Sequence, residues 1–136
     1  MTRVLMIDEN RRLSESIGLR CVAHGIAVRM DETFCGGVRH LLETPVSLII
    51  LSSALVRLPG AELARLFDTV APGVPVVVRV EAGRGLDEQV RFELHGFRVV
   101  TEPFDVLELV AKTERSARES VPTSVSAAAA LEAVCP

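Results

Sequence analysis

Leu48-Ile49-Ile50-Leu51 is an unbroken run of large aliphatic side chains that stops at Ser52-Ser53. A run this short with no polar face suits a strand covered on both sides, as in the middle of a parallel sheet. That assignment constrains the rest of the chain. A parallel neighbour is reached only through a crossover, so helices must alternate with strands. It also gives the run a functional end, because open α/β sheets bind ligands beyond the carboxyl ends of their strands. Ser52 stands at that end.

The flanking sequence supplies the alternation. Strand-like stretches fall at 4–7, 26–30, 75–80 and 97–101, besides 48–51. Between them, Leu13, Ile17 and Cys21 recur at helical spacing with Gly25 as a stop, and Leu63, Leu66, Phe67 and Val70 form one apolar stripe. Leu86, Val90 and Leu94 mark another helix, and Val106, Leu107, Val110 and Ala111 a last one. The helix at 33–42 carries Gly36-Gly37, and each glycine costs it about 1 kcal/mol relative to alanine, so it is expected to be short or mobile. Five strands and five helices in alternation place the chain in the α/β class. The expected architecture is one doubly wound five-stranded parallel sheet with helices on both faces, over residues 1–118. Residues 119–136 change to a Pro/Ser/Ala-rich tail. It reads as a linker at Val121-Pro122-Thr123-Ser124, then a flexible or short helical stretch rich in alanine.

Composition excludes several classes of function. The net charge of −3 and the absence of clustered Lys and Arg argue against a nucleic-acid surface. No apolar run approaches the roughly 20 residues that span a bilayer. The chain enters its first strand at once, with no signal-peptide pattern. Three cysteines without CxxC spacing argue against a disulfide framework or zinc site, and a reducing cytoplasm is the expected setting. Cys35, beside the glycine pair, is expected to be the most exposed of them, and Cys135 to sit in a loose tail.

In order and spacing, further landmarks resemble the response-regulator receiver domain of bacterial two-component signalling, over residues 3–113. They are Asp8-Glu9 after the first strand, the 48–51 run with Pro59-Gly60-Ala61-Glu62-Leu63 beyond it, Val74-Pro75-Val76-Val77, Gly96-Phe97, and Glu102-Pro103-Phe104. The resemblance implies a sheet of order 2-1-3-4-5. It also implies a site where an aspartate takes a phosphoryl group from a histidine kinase. That aspartate aligns with Ser52, whose hydroxyl needs an adjacent base to act as a nucleophile. The family's phosphoryl-sensing Thr or Ser aligns with Val80, its phosphoryl-binding lysine with Glu102, and its switch aromatic with Val99. The one lysine, Lys112, lies well beyond. Such a pocket gathers Asp8, Glu9 and Glu102 around any phosphate and repels it. The implied reading is a pseudo-receiver that keeps the fold and has lost the phosphotransfer chemistry.

Asp8 and Glu9 match the family's Mg²⁺-holding acidic pair, so they are weak candidates for a divalent ion; the plainer reading is that they cap the first helix. Glu102 has Arg79 or Arg84 as a prospective partner. Arg79, inside an apolar strand, must find a carboxylate, because an unpaired buried charge is too costly. No histidine among His24, His40 and His95 suits a triad with Ser52 or Ser53. The resemblance points to the last strand and its flanking helices, with Leu86, Val90, Val99, Phe104 and Leu107, as an interaction face. The expected function is therefore non-enzymatic and phosphorylation-independent, without a cofactor. It works by contact with a histidine kinase, another regulator or a second copy of the chain. The alternative is a flavodoxin-like cofactor binder on the same fold. The first strand–helix loop, Asp8-Glu9-Asn10-Arg11-Arg12, lacks the glycines that let backbone amides cradle phosphate.

Overall fold

The computed structural model describes residues 2–116 and Cys135. Strands β1 (Arg3–Ile7), β2 (Ala27–Asp31), β3 (Leu48–Ser52), β4 (Val76–Arg79) and β5 (Arg98–Val100) alternate with five helices. These are α1 (Arg11–Ala23), α2 (Phe34–Glu43), α3 (Gly60–Val70), α4 (Leu86–Glu93) and α5 (Val106–Ser116). Every strand pair is parallel and the order is β2-β1-β3-β4-β5, as expected. β3 lies at the centre with all of its residues buried. β4 and β5 are shorter than their apolar runs, and a 3-10 turn, Ser53–Leu55, follows β3. The proposed boundary near 118, the linker and the alanine-rich stretch lie outside the described residues.

The period of two sorts side chains onto two faces. Val4, Met6, Leu48, Ile50 and Val77 pack with Ile17 and Cys21 of α1 and with Val106, Leu109 and Val110 of α5. Leu5, Ile7, Ile49, Leu51 and Val78 pack against α2, α3 and α4. On that second face four rings form a row of edge contacts: Phe34 on Phe67, Phe67 on Phe97, and Phe97 on Phe92, with centroids 6.3 to 6.5 Å apart. Phe92 is the fully buried anchor of α4, whereas the apolar stripe read from its sequence, Leu86, Val90 and Leu94, is exposed.

α2 is a regular ten-residue helix, not the short one expected from its glycines. Thr33 caps it, its hydroxyl accepting from Gly36 N at 3.1 Å. A Cβ at Gly37 would overlap the side chain of Ile7, and one at Gly36 would meet Asp31 Oδ1 at 2.6 Å. The glycines let α2 approach β1 and the end of β2. The packing gained outweighs the lost propensity.

The cysteines depart from expectation. Cys35 and Cys135 are joined in a disulfide across 100 residues, with Cα atoms 5.8 Å apart. Cys135 is buried, whereas Cys35, half-buried, is the most exposed of the three, as expected. An odd count and an absent CxxC motif say nothing about two residues that only the fold brings together.

Candidate functional site

The residues singled out by the sequence gather at the carboxyl edge of the sheet. β1 delivers Asp8 just past its end, where the Asp8 amide donates to Asp31 O at 3.0 Å. Asp8 does not cap α1. Asn10 does, its side chain accepting from Leu13 N, while Asp8 Oδ1 accepts from Asn10 N at 2.8 Å. β3 delivers Ser52, and the register pairs it with Arg79 of β4.

Arg79 organises the edge. Its side chain is 2% exposed and Asp8 is equally sequestered. Arg79 Nε donates to Asp8 Oδ2 at 2.6 Å and Nη2 to Asp8 Oδ1 at 2.9 Å, a bidentate pairing of planar fork and carboxylate. Nη2 also reaches Ser52 Oγ at 3.4 Å, and Nη1 reaches Glu102 Oε1 at 3.4 Å. Glu9 Oε1 lies 3.8 Å from Nη2. Glu9 and Glu102 are close to half exposed, so solvent shares their charge. The hydrogen bonds to Asp8 hold the Arg79 pKa above its ordinary value against the opposing effect of burial, and the neighbouring carboxylates add to it. The guanidinium is therefore a fixed cation. The acidic pocket read from the sequence is offset from within the sheet, by a residue of β4 in place of a lysine.

Asp8, Glu9, Ser52 and Glu102 all converge on Arg79. Val80 does not join them. It alternates to the opposite face, where it is buried in the apolar cluster with Val78. The residue next to it in the chain carries the chemistry. The signal for this was present, since an arginine within an apolar strand that pairs with Ser52 points to the face of Leu48 and Ile50. Of the proposed interaction face, Leu86 and Val90 are exposed, whereas Val99, Phe104 and Leu107 are half-buried against the core. The histidines stand apart from Ser52: His24 is the C-cap of α1, its Nδ1 3.0 Å from Arg20 O.

The donor set does not fit a divalent ion. Such an ion needs several free oxygens. Asp8 engages both of its own with Arg79, and Ser52 offers a neutral hydroxyl directed at the same guanidinium. Among the described residues no group of three or more His, Cys, Asp or Glu side chains is placed to hold a metal. Among them, too, no helix is long and apolar enough to cross a membrane.

No family model matches the chain. It is 26% identical over 121 residues to the transcriptional regulatory protein GlrR of Escherichia coli K12, and to the same extent to QseF of Escherichia coli O157:H7. The match takes in 89% of this chain but 27% of either relative, so the chain spans about a quarter of their length. Among solved structures it is similar to the beryllofluoride-activated NtrC4 receiver domain dimer, at a TM-score of 0.71 and 18% identity, over 88% of this chain and 98% of that one. A CheY-like receiver domain from Methanospirillum hungatei gives a TM-score of 0.69 at 19% identity, over 88% and 95%. The fold is that of receiver domains.

Proposed function

We propose that this chain is a receiver-type signalling module of a two-component pathway that works by protein–protein contact, without phosphotransfer and without catalysis of its own. The observation that carries the reading is Arg79. Its buried guanidinium holds both oxygens of Asp8 and reaches Ser52 and Glu102, the positions where the resemblance places metal binding, phosphoryl acceptance and phosphoryl binding. A tethered cation thereby fixes the edge in one paired arrangement that needs neither metal nor phosphate. The partner is a histidine kinase or another regulator in the cytoplasm, or a second copy of the chain, as in the NtrC4 receiver dimer. The exposed apolar side of α4, with Leu86 and Val90, is the contact surface.

The test is a backbone amide NMR spectrum recorded with and without Mg²⁺ and beryllofluoride, beside incubation with acetyl phosphate followed by intact mass. The expected result is an unchanged spectrum and an unchanged mass. Shifts centred on Asp8 and Ser52, or a stable phosphoryl adduct, would overturn the reading.

A further inference from the structure

The Cys35–Cys135 pair plays no part in the edge just described. Cys35 stands in the first turn of α2, directly after Phe34, whose ring meets Phe67. Cys135 is 5% exposed and belongs to the apolar cluster of the α2–α3–α4 face. One helical turn past Cys35, Arg39 Nη2 donates to Cys135 O at 3.1 Å. Cys135 is thus held at α2 by a covalent bond, by burial and by a charge-assisted hydrogen bond. The Cα separation of 5.8 Å lies in the ordinary disulfide range, so the bond closes on the backbone as it stands.

Accessibility separates the members of the pair: Cys35 is half-buried in the first turn of α2, whereas Cys135 is 5% exposed, so Cys35 Sγ is the sulfur open to attack. The third cysteine contrasts with it. Cys21 is fully buried in the α1–α5 face, and burial pushes its thiol pKa up against a smaller opposing effect of Arg20.

We propose that Cys35 and Cys135 form a thiol–disulfide exchange site whose redox state decides whether Cys135 is clasped to α2. Opening takes two electrons and two protons from a dithiol. One reductant thiolate attacks the half-buried Cys35 Sγ, the Sγ–Sγ bond breaks, and Cys135 leaves as a thiolate that is then protonated. The second reductant thiol displaces Cys35 from the mixed disulfide, which returns Cys35 as a thiol and leaves the reductant as a disulfide. Closing is the reverse exchange with a small-molecule disulfide such as oxidised glutathione. In a reducing compartment the clasp stands open, and oxidation closes it. The site is independent of the receiver reading.

The full chain is equilibrated in glutathione buffers of graded redox ratio, quenched with acid, unfolded, alkylated and weighed. The three cysteines take three labels under reducing conditions and one, at Cys21, under oxidising conditions, with a single reversible transition between them. Proteolytic fragments of the oxidised chain contain a Cys35–Cys135 cross-link within one molecule. The oxidised chain melts several degrees above the reduced one, and Cys35→Ser abolishes that difference. Three labels at every ratio would overturn the proposal, as would a cross-link between two chains or one that includes Cys21. Reading the labels on the unmodified chain keeps the test valid even where a variant folds poorly.

Discussion

At the end of β4 the side chain of Arg79 is 2% exposed and its fork is engaged by Asp8, Glu102 and Ser52. Across the next loop, Leu86 at the start of α4 is 73% exposed and Leu94, its C-cap, 75%. At the sheet edge Asp8, Ser52 and Arg79 are withdrawn from water and paired with one another. On α4 apolar groups are left in water. A ligand site needs unsatisfied groups, whereas a docking surface needs unburied area. The buried part of the edge has used its hydrogen-bonding capacity on itself, and α4 has kept its apolar area available. The contrast favours α4, over the edge, as the proposed contact surface.

The sharpest way to break this contrast is Arg79→Ala. It leaves the carboxylate of Asp8 buried without its partner, and the expected loss is about 3–5 kcal/mol of unfolding free energy in urea titrations. The double change Arg79→Met with Asp8→Leu should recover most of that loss, because two apolar side chains remove both buried charges together. If Arg79→Ala lowered stability by less than about 1 kcal/mol, the edge would be as open as α4, and the contrast would fail. Next in size is Gly37→Ala, which forces a methyl group against Ile7 and should remove about 1–3 kcal/mol in the same titration. Glu102→Gln tests the solvent-facing rim of the network. With Glu102 close to half exposed, its expected effect stays below about 1 kcal/mol, and the bidentate pair with Asp8 persists. The smallest stability change, within about 0.5 kcal/mol, is expected from Leu94→Glu. The same variant should nonetheless reduce self-association in sedimentation experiments, or partner capture in pull-downs. A large stability loss with unchanged association would exchange the roles of the two regions.

The sequence makes some of this legible and hides the rest for physical reasons. The run at Leu48 to Leu51 reveals the central strand because apolar residues without a polar face admit few other settings. The need of Arg79 for a carboxylate follows from the cost of burying a charge, and Arg79 is one of the two prospective partners read for Glu102. The identity of its main partner, Asp8, depends on strand order, which local pattern does not contain. Val80 was singled out by alignment, but strand alternation turns it to the other face. Propensity misjudges α2 because it ignores how closely that helix approaches β1. The Cys35–Cys135 bond is invisible for the plainest reason, since its members are 100 residues apart and share no motif.

The covalent attachment of Arg79 has a consequence of its own. A free ion or small anion occupies a site according to its concentration, and dilution or chelation empties it. A guanidinium carried on β4 has no such dependence, since its effective concentration beside Asp8 is set by the backbone. The positive charge beside Asp8 is therefore not set by the supply of a solute. It changes only when the protein opens locally, so its lifetime is that of the sheet itself.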